Sequence, residues 1–274
     1  LIAVTAPLTG GSLAAALLVS LVAGLVAAAM LWRLVAATRG PRTAAVAVLF
    51  LAVAPYGVFL TAAYSESTFL ALVLSAWWMG TRRRWWWAGA LAGAAAGVRV
   101  NGLFVALALA VMYAGQLRAE GRWRPRWDAA ALLVPFVVTA GFFGFLFATT
   151  GSLDEWHRAE ITGWQRQSAW PWQGFATAWR AIQTAATPDL LISRWADLLV
   201  VVAGIVLVGV LVALRRWPEV VYTGLSVAVL LFSNMFTSAP RYALTWFPGY
   251  IVMAELATRP GWGWLKVAVP AVCL

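Results

Sequence analysis

Residues 13–32 read LAAALLVSLVAGLVAAAMLW, a run of apolar and small residues without one charged side chain. A helix rises about 1.5 Å per residue, so a run of this length crosses the roughly 30 Å hydrocarbon core of a bilayer. Lipid offers no partner to backbone amides and carbonyls, and a helix satisfies them within the segment. Similar runs recur at about 13–32, 43–62, 64–81, 85–98, 103–117, 128–148, 196–214, 219–236, 242–258 and 264–274. Composition agrees: the 274 residues are 63% hydrophobic and 11% charged, against roughly 45–50% and about 25% in soluble proteins. The predicted fold class is all-α, a polytopic integral membrane bundle of about ten transmembrane segments, forming one membrane domain over 1–274.

The net charge of +10 raises the question of a nucleic-acid surface, which its distribution answers. Basic residues gather in five short connections: Arg33, Arg39 and Arg42; Arg82, Arg83 and Arg84; Arg118, Arg122, Arg124 and Arg126; Arg215 and Arg216; Arg259 and Lys266. Arginine and lysine in short connections are retained on the cytoplasmic side, so no nucleic acid is implied. The outer elements are then the N-terminus, 63–67, 99–102, 149–195 and 237–241. The longest of these balances Arg158, Arg166, Arg180 and Arg194 against Asp154, Glu155, Glu160 and Asp189. Within it, Trp172, Phe175, Trp179 and Ile182 recur at helical spacing, which predicts an amphipathic interfacial helix near 172–182, or a lid packed on the bundle. The single cysteine, Cys273, excludes a disulfide scaffold.

Ionisable side chains in apolar surroundings are candidates for function, and three elements carry them. Tyr64, Ser65, Glu66 and Ser67 sit at a helix start, where Ser65 could cap the helix or the group could face a polar ligand. Arg99 and Asn101, in Arg99-Val100-Asn101-Gly102, join two short runs and should lie inside the bundle. An arginine there needs an anion, either Glu66 in a structural ion pair or a phosphate held bidentately. Arg241 and Tyr242 follow Ser238-Ala239-Pro240 in a tight turn, and Pro248 should kink the run after it. Arg241 could equally snorkel to headgroups. Gly89, Gly93 and Gly97 make a small-residue packing face. His157, the one histidine, three residues before Glu160, is an accessory candidate. A histidine-based metal cluster is impossible with one histidine; no cofactor is assigned, and divalent-metal use is open.

The stretch APYGVFLTAAYSES (54–67) resembles a segment of the GPI mannosyltransferase 2 (PIG-V) family and its bacterial relatives. Arg99-Val100-Asn101-Gly102 is similar to that family's RSNG, with valine for serine, and SAPRYALTWFP (238–248) to its late PRY...FP element. The resemblance implies a GT-C fold with its site on the outer face of the membrane. It implies inverting transfer of mannose or another hexose from a polyprenyl-phosphate sugar donor to a lipid or glycan acceptor. Arg99 and Arg241 would hold the donor phosphate, Asn101, Glu66 and its neighbours would order the cavity or bind sugar, and the 172–182 helix would cover the lipid access. In this family the acidic base lies in a first outer loop, as Trp-Asp. Leu1 to Pro7 resemble the sequence after that loop, so the chain is expected to be a fragment, inactive alone, whose catalytic base lies before Leu1.

Arginine outnumbers lysine nineteen to one, which suggests a GC-rich bacterial source and a plasma-membrane location, where GPI anchors are not expected. The competing reading is a transporter or flippase for a lipid-linked sugar, which would also need buried arginines but usually shows related halves. The topology has a direct test. With Cys273 replaced by serine, a cysteine at Gly151 should react with an impermeant maleimide added outside intact cells. One at Gly121 should react only after permeabilisation, and equal labelling of both would refute the assigned orientation.

Overall fold

A computed structural model describes residues 2–122 and 124–273. Leu1 and Leu274, the ends of the expected fragment, lie outside the described residues, as does Trp123 in the third basic connection. The helices in chain order are α1 (Ile2–Thr9), α2 (Ser12–Arg39), α3 (Pro41–Ala52), α4 (Glu66–Thr81), α5 (Trp85–Val98), α6 (Gly102–Ala119) and α7 (Val134–Thr150). There follow α8 (Glu155–Trp164), α9 (Pro171–Gln183), α10 (Pro188–Ala213), α11 (Trp217–Leu231), α12 (Ala239–Ala243), α13 (Phe247–Ala257) and α14 (Leu265–Cys273). Two 3₁₀ turns, Gly57–Leu60 and Trp127–Leu133, complete the helical elements among the described residues.

Four helical stretches are long and apolar enough to cross a membrane: α2, α6, Trp127–Thr150 and α10. The protein is a multi-pass helical membrane protein. Outward-facing residues of α2 such as Leu13, Leu17, Leu21 and Leu25 are exposed, as are Leu199, Val202 and Val206 of α10, and in a bilayer they meet acyl chains.

The other runs form shorter helices, and two depart from the sequence expectation for a stated reason. Run 43–62 stops at Ala52. Pro55 lacks an amide hydrogen and disfavours helical geometry in the residue before it, and Tyr56 then turns through the left-handed region at φ 67°. The run at 242–258 is not one kinked helix. It divides into α12 and α13, with Pro248 in the first turn of α13, where a missing amide costs no hydrogen bond. The break frees carbonyls, and the buried Tyr222 hydroxyl donates to that of Thr245 at 2.8 Å. Tyr222 in turn packs with Trp77 and Phe247, whose ring centroids lie 6.1 and 5.5 Å from its own. The break is thus anchored to α4 and α11.

Two apolar clusters organise the bundle. The larger unites α2 through α6 with α11 and α13 around Phe50, Phe69, Leu74 and Phe247; the smaller joins α9 through α12 around Val201, Phe236 and Trp246. The glycine face of α5 meets the element that begins at Trp127. A Cβ on Gly89 would stand 2.0 Å from the Ala131 carbonyl oxygen, and one on Gly93 would stand 2.7 Å from Val134 Cγ1. At Gly97 the nearest neighbour would be 3.5 Å away, an ordinary contact.

The basic connections are bound to one another by acids. Arg39 and Arg216 both meet Glu255, the latter at 3.2 Å, and Arg83 and Arg122 both meet Glu120. Gly89→Ala should destabilise the protein by about 1–3 kcal/mol, because backbone rather than a flexible side chain must yield. Gly97→Ala should be neutral or slightly stabilising. Thermal unfolding of both variants in detergent decides it.

Candidate functional site

The site begins with the position of Glu66, first residue of α4, where a carboxylate interacts favourably with the helix dipole. α4 is packed on all sides there, and Glu66 and Ser67 are fully buried. A buried carboxylate needs cations close by. Two arrive from distant parts of the chain. Arg99, which ends α5 in extended conformation, donates from Nη2 to Glu66 Oε1 at 2.8 Å and from Nε to Ser65 Oγ at 3.1 Å. Arg241, on α12, donates from Nε to the same Oε1.

Three sequence elements predicted to face one side therefore meet at one carboxylate oxygen. Glu66 has no exposed side-chain surface, while 18% of Arg99 and 24% of Arg241 remain open. Both arginine side chains thus keep some exposed surface beside a carboxylate that has none. Ser65 does not cap α4 through its side chain; its hydroxyl accepts from Arg99 instead. The Tyr64 ring lies 4.4 Å from the Arg241 guanidinium carbon and the Phe59 ring 5.3 Å from it, close enough for cation–π attraction to fix the side chain. Arg241 does not snorkel away from the bundle. Glu66 Oε2 and Ser67 Oγ are buried without a hydrogen-bond partner among the described residues.

Tyr242 links this cluster to a residue that the sequence treated only as part of a balanced loop. Arg166 donates from Nη1 to the Tyr242 hydroxyl at 2.5 Å and from Nη2 to the Thr237 carbonyl at 3.2 Å. The Tyr242 ring lies 5.3 Å from the Arg166 guanidinium carbon and 5.9 Å from that of Arg99. Arg166 sits in a strap, 165–169, bound to the 232–237 loop: Gln167 and Asn234 bond each other twice, and the Ala169 amide donates to Phe232. The remaining candidates stand apart. Asn101 precedes α6 without a side-chain cap bond, and His157 is exposed on α8. Among the described residues no group of three metal-ligating side chains occurs.

Two further features escaped the sequence reading. Asp197, buried in α10, accepts from the Ala239 amide at 3.0 Å and so holds the start of the helix carrying Arg241. It was hidden as the one acid in the run 196–214, although a lone acid in such a run is itself a signal. The second is an apolar groove of about 620 Å³ along α10, α3 and α13, lined by Phe50, Leu199, Val206 and Met253. Pro240 and Ala243, on either side of Arg241 and Tyr242, form part of its wall. On α9, Gly174, Ala178 and Ile182 are buried against the bundle whereas Trp172 and Trp179 are exposed; the indoles of the predicted apolar face are turned away from the protein core.

The ion-pair geometry makes a stability prediction. Glu66→Ala leaves two guanidiniums facing each other and should cost about 3–5 kcal/mol. Adding Arg99→Ala should recover part of that loss, a coupling measurable in a double-mutant cycle by unfolding in detergent. Strict additivity would show that the two side chains do not act as a pair.

Comparison with known proteins bears on the N-terminal part of this arrangement. The family described as dolichyl-phosphate-mannose-protein mannosyltransferase matches residues 1–156, a region that contains Glu66 and Arg99, whereas Arg166 and Arg241 come from the rest of the chain. No curated protein and no solved structure matches. With more than half of its length matched, this multi-pass membrane chain belongs to the dolichyl-phosphate-mannose-protein mannosyltransferase family and is a membrane glycosyltransferase.

Proposed function

We propose that the protein transfers a hexose, of mannose type, from a polyprenyl-phosphate sugar to a lipid or glycan acceptor at the outer face of the membrane. The observation that carries this reading is the single oxygen of Glu66 shared by Arg99 and Arg241. One carboxylate against two guanidiniums leaves positive charge in excess, held in fixed orientation and partly accessible. That is the requirement for a phosphate whose charge rises during reaction. The donor is a phosphodiester with one negative charge. As an acceptor hydroxyl oxygen forms a bond to the sugar anomeric carbon, the bond from that carbon to the phosphate oxygen breaks, and the leaving polyprenyl phosphate approaches two negative charges. Preoriented cations stabilise that developing charge more than they stabilise the bound donor, which is what lowers the barrier. The acceptor proton leaves to a general base, which the family resemblance places in a first outer loop.

The apolar groove supports the lipid half of the reading. It borders α12 directly, so a donor phosphate at Arg241 would have its polyprenyl chain beside α10 and α13. The motifs at 54–67, 99–102 and 238–248 favour the GPI mannosyltransferase 2 branch within this superfamily, in a bacterial setting. Tyr64, exposed beside Arg241, then borders the sugar side of the site, Tyr242 holds Arg166 next to it, and neither the buried Ser67, nor Asn101, nor His157 has an assigned part.

In membranes containing the protein, Arg99→Ala and Arg241→Ala should each lower kcat by about 10²–10³ with normal protein abundance, the scale of losing a preorganised donor. Transfer at wild-type rate in both variants would defeat the donor-phosphate assignment. Wild-type protein that moves a lipid-linked sugar across vesicles without forming glycan would establish the flippase instead.

A further inference from the structure

A second cavity lies between α9, α10 and residues 235–237, just before α12. It has a volume of about 270 Å³, below the roughly 300–1,000 Å³ of pockets for drug-sized ligands, and therefore suits one small ring. Its wall is chemically mixed. Asp197 and Arg194 supply one charge of each sign, Gln165 an amide, Thr177 and Thr237 hydroxyls, and Phe236 an apolar surface. Arg194 Nη1 reaches Thr237 Oγ1 at 3.5 Å. Asp197 is 5% exposed. It uses Oδ1 to accept from Ala239, and the Arg194 and Arg166 guanidiniums act on it electrostatically.

We infer that this cavity binds a single neutral sugar ring, the acceptor side of the transfer proposed above, on which reading the word acceptor rests. Opposite charges in equal number give the cavity no preference for an ionic ligand. A carboxylate accepts hydroxyl protons, a guanidinium donates to hydroxyl oxygens, and an amide does both, so the set satisfies adjacent hydroxyls of a polyol. The apolar ring of Phe236 matches the carbon–hydrogen face of a pyranose. The cavity is tied to the arginine cluster by shared residues. Thr237 accepts from both Arg166 and Arg194, Gln165 precedes Arg166 in the strap, and the Asp197 contact at Ala239 is within the helix that carries Arg241. A ring held here sits beside the start of α12, bordered by Gln165 of the strap and by α9.

The test is binding, so it does not depend on turnover. The methyl α-glycosides of mannose, glucose and galactose are titrated into the purified full chain in detergent by saturation-transfer NMR, and polyprenyl monophosphate binding is measured in parallel. At least one glycoside should bind the wild type. Asp197→Asn, which keeps an acceptor for Ala239, and Ala181→Trp, which fills the cavity from α9, should each weaken it about tenfold or more, the scale of a hydrogen bond to a charged group. Polyprenyl monophosphate binding should persist in Ala181→Trp. If Asp197→Asn does not fold, Ala181→Trp decides alone. No glycoside binding to the wild type, or binding undiminished in Ala181→Trp, overturns the inference. Loss of polyprenyl monophosphate binding by the wild type would instead defeat the donor reading and leave the sugar result standing.

Discussion

A carboxylate with no exposed surface at the first turn of α4 must be met by positive charge, and the architecture of one end of this bundle follows from that requirement. Glu66 cannot move toward water, because α2, α5 and the 53–65 segment enclose it. Cations come to it instead. Arg99 can reach it only because α5 stops at Val98 and the chain turns extended before α6. Arg241 can reach it only because the chain breaks between α11 and α13 and inserts the short α12. Each break exposes backbone groups in an apolar environment, and each is met: at the first the Gly102 amide donates to the Arg99 carbonyl at 2.8 Å, and at the second Asp197 takes the Ala239 amide and Tyr222 donates to Thr245. The irregular backbone is confined to protein interior, where neighbouring side chains can satisfy it.

The same constraint explains why the site is cationic overall. A second arginine on one carboxylate oxygen adds little to the stability of a buried ion pair, whose desolvation already offsets most of the attraction. Its value lies in orientation. Glu66 and Ser65 take bonds of Arg99, Glu66 and two aromatic rings hold Arg241, and both side chains keep some exposed surface. The apolar groove that borders α12 and the small cavity between α9 and α10 have contrasting chemistry, as the proposed transfer from a lipid-linked donor to a hydroxylated acceptor requires.

Much of this was legible in the residues. The apolar runs declared a helical membrane bundle, and α6 follows its run closely, while α2 continues seven residues past its run and α10 begins eight residues before its own, in the segment read as outer loop. The charges that composition could not explain, Glu66, Arg99 and Arg241, are the ones that meet. The small-residue spacing of Gly89 and Gly93 corresponds to backbone contact at Ala131 and packing at Val134. The failures have physical causes. Run length overstates helix length where the backbone breaks, before Pro55 and between Ala243 and Phe247, because hydropathy is blind to backbone amides. Arg166 was invisible because a charge in a balanced polar loop carries no mark of burial; only the strap bonds to Asn234 and Phe232 bring it to Tyr242. Asp197 was passed over because a single acid does not alter the average of an apolar run.

The central claim is that Glu66 holds Arg99 and Arg241 ready for a phosphate. It is tested most directly by an experimental structure of the protein with polyprenyl monophosphate bound in lipid nanodiscs. The account requires the phosphate to lie against the free edges of both guanidiniums, with their bonds to Glu66 retained and the polyprenyl chain in the groove beside α10. A phosphate bound elsewhere, with the two arginines engaged only by Glu66, would contradict it and make the cluster a structural ion pair.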